Sequence, residues 1–355
     1  MLLPVNIVKA IFTDQNFLGA MLATLVFILL GFFFRRSNII GPEGKKTLNA
    51  VIMKIAIPCM AFCAFMSGFD PASFGTNVLI FVLDLVFYIV LILLGNLFFF
   101  KLEKAKRTVF AVVMAVGQLT FFSLPLLKAI YVDNVSDVLI PASMMTLSFR
   151  LILYIYCFIA ITGNKITKEN FGPTLKTIFL NPIMILMLLG FLVWVTQNVT
   201  FQVDVEGVSY GFLRIDKTLP ALYKVFQFGD YLSTPLCMFL CGVTLGEANF
   251  LEAIKSKESW LLAILHSFFV PLFVFGACCA IEALGWMHFS EFQLAAMCIG
   301  MTAPVSAVLV VFTVQYEKES YVASDTLFLS TLLCFLAIPL MFILVKFAMT
   351  WPLFA

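Results

Sequence analysis

Charge is what this chain has least of. Asp, Glu, Lys and Arg make up 12% of its 355 residues, about half the roughly 25% typical of soluble domains. Too few polar groups are present to clothe one soluble core, let alone two. Twenty-two basic and 20 acidic residues leave a net charge of +2, which excludes a nucleic-acid binder. Histidine occurs only at positions 266 and 288, so a His-rich metal site is excluded and no metal ligand is assigned. No phosphate loop, nucleophile elbow or HExxH motif is present. With no catalytic set, an enzyme is not expected and no cofactor is assigned. The nine cysteines are an odd number and all lie in apolar stretches, so they read as reduced packing residues rather than a disulfide framework. The first apolar run, residues 17–34, ends in Arg35-Arg36 without a small-residue cleavage site, so it reads as a retained span and not a signal peptide.

What the chain has in excess is apolar surface. Hydrophobic residues reach 62%, with 41 phenylalanines and a mean hydropathy of +1.06. Disorder is excluded by the same numbers. A polytopic, all-α membrane protein follows. Crossing the hydrocarbon core takes ~20 mostly apolar residues. Ten windows meet that length, at 17–34, 48–67, 77–100, 108–130, 138–162, 178–197, 230–246, 259–284, 291–315 and 322–349. Lys and Arg gather in the loops after odd-numbered spans, as in Arg35, Arg36, Lys45 and Lys46, or Lys101, Lys104, Lys106 and Arg107. Positive loops stay in the cytoplasm, so both termini and the longer loop 198–229 are expected outside the cell membrane. In that loop Phe201, Val203 and Val205 alternate with polar residues before Gly207, a hairpin signal.

The two halves of the chain look alike. Leu-Leu-Gly-Phe occurs in span 1 (29–32) and span 6 (188–191); spans 2 and 7 pair Pro58 with Phe62 and Pro235 with Phe239. Spans 4 and 9 carry Pro125 and Pro304, 67 and 69 residues after the prolines of spans 2 and 7. Five spans per copy is odd, so the second copy enters the membrane upside down. Residues 1–162 and 178–349 are then two inverted repeats joined by a short linker, 163–177. Inverted repeats with interrupted helices mark secondary transporters. Proline suits the first turn of a new half-helix, so span 4 is expected to break around Gly117–Leu124 and restart near Pro125, and span 9 to break around Met301–Ala303 and restart at Pro304. The amides of Leu126, Leu127, Val305 and Ser306 would then be open donors for an anion. The competing reading is that both prolines merely kink packed helices.

Six segments in order now resemble the auxin efflux carrier family, which includes plant auxin exporters and bacterial malate and malonate permeases. They are LNAVIMKIAIPCMAF (48–62), SLPLLKAIY (123–131), Asn181-Pro182, CMFLCGVTLG (237–246), TAPVSAVLVVFTVQY (302–316) and LAIPL around Pro339. The resemblance implies ten helices in two inverted repeats, with spans 4 and 9 crossing at the substrate site. It also implies a homodimer whose scaffold is spans 1, 2, 6 and 7, the remaining spans moving against it. Gln118 stands where plant carriers have Asn, and Val305 where they have a polar amide, which argues against auxin itself. Lys54 and Asp84 correspond to a supporting polar site that substitutes for a proton or cation; a structural ion pair, or Lys54 snorkelling, is the alternative.

A charge at mid-membrane costs ~2.5–3.5 kcal/mol on insertion scales, so each such residue needs a role. Arg150, midway along span 5, has the donors to hold a carboxylate or to tie helices together. Lys128 stands at a cavity mouth or snorkels, and Asp325 sits near the start of span 10. His266 and Glu282 show no ligand spacing. The expected function is secondary transport of a small mono- or dicarboxylate, malate-like, by alternating access, with proton or sodium coupling open. The substrate site is expected at Gln118, Pro125, Leu126, Pro304, Val305, Ser306 and Arg150. The other readings are a carrier-like sensor without transport, or a sodium-coupled symporter of the bile-acid type. The charge asymmetry makes a direct prediction. A cysteine placed at Gly207 reacts with an impermeant reagent added outside intact cells and one at Gly163 does not; the reverse pattern overturns the orientation.

Overall fold

The computed structural model describes residues 13–69, 71–162, 179–247 and 250–354, together with position 172. It is mostly helical. In chain order the helices are α1 (Gln15–Arg36), α2 (Pro42–Ala64), α3 (Phe74–Phe98), α4 (Lys104–Ala115), α5 (Leu119–Ile130), α6 (Val132–Ile161) and α7 (Pro182–Thr196). A hairpin of β1 (Gln202–Val205) and β2 (Val208–Gly211) follows, then α8 (Ile215–Thr218) and α9 (Pro220–Leu245). The chain closes with α10 (Phe250–Lys255), α11 (Lys257–Ala283), α12 (Glu291–Gly300), α13 (Ala307–Gln315) and α14 (Ser320–Ala348). Among the described residues seven of these, α1, α2, α3, α6, α9, α11 and α14, are long and apolar enough to cross a membrane. The linker expected at 163–177 lies outside the described residues except at position 172.

Local chemistry explains the element starts. Asp14 accepts from the amides of Asn16 and Phe17 ahead of α1. Asn181 caps α7 through Met184 with Pro182 in its first turn, and Ser290 and Gln293 form a capping box on α12. The hairpin turns at Glu206 and Gly207, with φ of 52° and 81°, the two left-handed residues a tight I′ turn requires. One boundary differs from the sequence expectation. The segment 198–229 is not loop throughout, because α9 begins at Pro220, ten residues before the apolar window. Lys224, Gln227 and Asp230 interrupt that stretch and hide its helical character.

Prolines inside the spans do less damage than the sequence suggests. Wide π turns at Ile52–Ala56, Leu119–Ser123 and Leu265–Phe269 each end two residues ahead of a proline, Pro58, Pro125 and Pro271. A proline has no N–H and crowds the carbonyl four residues back. A wide turn absorbs that misfit and keeps the helix continuous. The interruptions overlap the expected ranges, but the helices restart at other residues. Span 4 divides into α4 and α5 at residues 116–118, where no proline stands, and span 9 divides into α12 and α13 at residues 301–306, around Pro304.

The two short likenesses noted in the sequence meet in space. Gly31 of α1 lies so close to α9 that a Cβ there would stand 2.1 Å from the carbonyl oxygen of Phe239. Gly190 of α7 lies against α2, where a Cβ would be 3.2 Å from the carbonyl oxygen of Phe62. Each Leu-Leu-Gly-Phe segment thus packs on the Pro-x-x-x-Phe segment of the opposite half. Gly242 of α9 answers Gly31, since its Cβ would fall 1.9 Å from the Ile28 carbonyl oxygen. Small residues allow such close backbone approach between membrane helices. Replacing Gly242 with Ala forces α1 and α9 apart and should cost at least ~1–3 kcal/mol, the range for overpacking. Thermal unfolding in detergent should show a clear fall in Tm for Gly242→Ala and none for Gly19→Ala, whose Cβ meets nothing within 4 Å.

Candidate functional site

Where the two interruptions meet, the backbone finishes its own hydrogen bonding. Gly117 and Val305 pair as an antiparallel bridge. The Gln118 amide donates to the Pro304 carbonyl at 2.6 Å, and the Ser306 amide donates to the Val116 carbonyl at 3.0 Å. Exchange of the two segments turns one bond into the other, so the crossing has local two-fold character. Irregular backbone in a membrane persists only where protein or water satisfies it, and here each break satisfies the other. Gly117 belongs at the centre because the two strands come close: a Cβ there would be 3.2 Å from the Ala303 carbonyl oxygen.

Side chains complete the junction. The Val305 amide donates to the Ser330 hydroxyl at 3.1 Å, and Ser123 donates to the Gly300 carbonyl at 2.7 Å. Gln118 Oε1 accepts from the Ala307 amide at 3.3 Å, capping α13; its Nε2 makes only a weak contact of 3.4 Å with Cys241 Sγ. His266, from the wide turn of α11, is fully buried. Its Nδ1 lies 2.7 Å from the Met114 carbonyl oxygen and its Nε2 lies 2.7 Å from that of Ala303. One imidazole therefore ties the end of α4 to the start of the second break.

Two cavities reach this junction. The larger, of about 720 Å³, runs from Pro42, Lys45, Lys46 and Glu247 at its mouth to Gln118, Ala307 and Val308 at its floor. Arg35 and Lys45 both pair with Glu247, at 3.3 and 2.5 Å, so the mouth keeps a positive balance. The smaller cavity, about 20 Å³, has room for one water molecule. It is bordered by Gln118, Thr120, Arg150 and Ser306. At the opposite end α5 is tied to α9. Lys128 forms an ion pair with Asp230, and Thr234 donates to the Pro125 carbonyl at 3.2 Å. Lys128 is therefore engaged by Asp230 and borders neither cavity.

The structure brings together Gln118, Arg150 and Ser306 around the small cavity. Pro125, Leu126, Pro304 and Val305 border neither cavity. The expected open amides are corrected by the hydrogen bonding. Those of Val305 and Ser306 are already taken, and Leu126 and Leu127 lie inside α5, which starts at Leu119 rather than at Pro125. Pro125 and Pro304 are not counterparts either: Pro304 is one residue from the crossing pair and Pro125 is eight. Lys54 and Asp84 do not pair. The wide turn Ile52–Ala56 buries Ile52 and Ala56 and leaves Lys54 exposed. Asp84, fully buried, is hydrogen-bonded to Ser148 of α6. Sequence reasoning missed His266, Ser330 and Ser123. Their partners are backbone groups from distant segments, for which a sequence carries no spacing signal.

Comparison with known proteins adds one positive finding. A family model described as membrane transport protein matches residues 16–342, nearly the whole chain. No curated protein matches.

Ser330 gives the junction a simple test. Ser330→Ala leaves the buried Val305 amide without an acceptor and should cost ~1–3 kcal/mol, the penalty for an orphaned buried donor. Ser330→Thr keeps the hydroxyl and should keep most of that stability. Thermal unfolding of both variants in detergent separates the lost hydrogen bond from a mere change of shape.

Proposed function

Because the chain belongs to the membrane transport protein family, the auxin efflux carrier family, it is a membrane transporter, and we propose that its cargo is a small organic anion. The observation that carries this reading is the large cavity. It passes a positively charged mouth and ends at Gln118 beside the start of α13. A helix start holds the equivalent of roughly +0.5 charge and unpaired amides. The Ala307 amide is capped by Gln118, and Val308 and Leu309 follow it in the first turn of α13, beside the site. An anion bound there meets those amides, the Nε2 of Gln118 released from its thiol contact, and Arg150 across the small cavity. A mono- or dicarboxylate of the malate type fits this chemistry; an amine or a neutral sugar does not.

On this reading the membrane is crossed ten times by two inverted repeats. The paired helices α4–α5 and α12–α13 and the short α7 make up the crossings beyond the seven long helices. The reciprocal Gly31–Phe239 and Gly190–Phe62 contacts support the repeat. α1, α2, α7 and α9 form a scaffold that dimerises, and the remaining helices rock against it in alternating access. The Lys45–Lys46 end faces the cytoplasm of the cell and both termini lie outside. The conformation is then inward-open, closed outside by the Lys128–Asp230 pair and the Thr234 hydrogen bond.

Purified protein in proteoliposomes should take up labelled malate or another small carboxylate from a panel, while labelled amines and sugars stay out. Gln118→Ala should weaken uptake by about 3–10-fold, the worth of one net hydrogen bond. Gln118→Glu keeps the acceptor for the Ala307 amide, so the protein stays folded, yet it sets a negative charge beside the cargo and should abolish uptake. A Gln118→Glu protein that transports as well as the parent rules out an anion held at this crossing.

A further inference from the structure

Both ring nitrogens of His266 face carbonyl oxygens at 2.7 Å. A carbonyl oxygen only accepts, and a neutral imidazole carries a single N–H. In the neutral form one nitrogen would direct its lone pair at an oxygen lone pair across 2.7 Å. Only the imidazolium, with two N–H donors, satisfies both contacts.

Among the described residues, no side-chain charge explains the arrangement. On α4, Lys106 and Arg107 stand seven or more residues before Met114, ~10 Å along the helix, and Lys106 is engaged by Glu258 of α11 itself at 2.8 Å. Glu282, sixteen residues beyond His266, takes the Phe289 amide and His288. On α3, Asp84 is held by Ser148. α14 contributes Asp325, half-buried near its cytoplasmic start, Lys346 paired with Glu291 at 2.5 Å, and the thiol of Cys334; α12 contributes the thiol of Cys298. What faces the ring is backbone: the carbonyl end of α4, the carbonyl of Ala303 in the second break, and Gly117, whose Cβ position lies 3.5 Å from Cε1 and Nε2. Carbonyl ends of half-helices carry partial negative charge. One such end, that of α4, and the free-standing carbonyl of Ala303 converge here on one ring.

We propose that His266 is a proton-binding site of the transport cycle, its imidazolium holding the crossing together and its charge favouring the anion bound next door at Gln118. The proposal rests on the anion-transport reading above. Gly117 separates the ring from Gln118 by one residue, so proton and anion stabilise each other's binding, and that linkage is reciprocal. The two therefore move in the same direction. In the discharging step the Nε2–H bond breaks, its electron pair stays on Nε2, and the proton passes to water admitted when the crossing loosens. Nε2 and the Ala303 oxygen then repel, which disfavours the closed junction until a proton returns.

Two measurements decide the matter. Protein labelled with ¹⁵N-histidine carries only two signals' worth of rings, and the His288→Gln variant leaves His266 alone. Solid-state NMR of that protein in lipid bilayers at neutral pH should show both ring nitrogens protonated. One protonated and one bare nitrogen overturns the proposal. In proteoliposomes, making the outside one pH unit more acidic should raise malate accumulation by the parent, up to about tenfold for one coupled proton. His266→Gln, measured against its own exchange at equal pH, should gain nothing from the gradient. A gradient response that survives His266→Gln, or a doubly protonated ring in a parent whose malate exchange ignores the gradient, equally overturns it. A parent that exchanges no carboxylate at all counts against the anion reading and also removes the coupling proposed here, whereas the NMR result still reports the ring's protonation by itself.

Discussion

A peptide group stranded in hydrocarbon without a partner costs several kcal/mol, and that cost governs the centre of this molecule. Two helices are interrupted at the same place. Either interruption alone would leave carbonyls and amides with nothing to bond. Together they form a miniature antiparallel pairing, Gln118 to Pro304 and Ser306 to Val116, and the remainder is met by Ser123, Ser330, Gln118 and His266. Gln118, which borders the candidate site, is thus one of the groups that make the broken backbone tolerable. A polar centre exists because the backbone requires one.

The surrounding helices hold that centre by close packing. Gly31 and Gly242 bring α1 and α9 into backbone contact, and Gly190 does the same for α7 against α2. These contacts lie among the four helices read as the scaffold. The crossing belongs instead to helices on the other side of the large cavity, with Gln118 and Ala307 on its floor and α9 contributing Leu240 and Thr244 to its wall. A glycine-packed frame thus stands beside a crossing joined by backbone bonds, and on the proposed reading these are the two bodies that rock against each other. The ion pairs divide the same way. Lys128–Asp230 joins α5 to α9 at one end, while Glu247 gathers Arg35 and Lys45 around the open mouth at the other.

Much of this was legible in the sequence because it depends on composition and on local chemistry. Low charge and long apolar runs determined a polytopic helical membrane protein. Six ordered motifs determined the family. Alternating residues ahead of Gly207 signalled the hairpin, and the Leu-Leu-Gly-Phe and Pro-x-x-x-Phe likenesses marked pieces that prove to interlock. Gln118 was singled out through the family resemblance, and Arg150 through the cost of a mid-membrane charge.

Tertiary structure decided where the helices break and which groups meet there. A proline looks like a break in sequence, yet Pro125 is absorbed by a π turn, while the interruption falls at Gly117, where the opposite backbone supplies the missing bonds. Whether Lys54 and Asp84 meet was likewise decided by the fold, since the wide turn at Ile52–Ala56 leaves Lys54 exposed and one oxygen of the buried Asp84 meets Ser148. His266 was unreadable because its two partners are carbonyls, which every residue possesses, from positions 114 and 303. Sequence records side chains, and in this protein the decisive contacts at the centre are made by backbone.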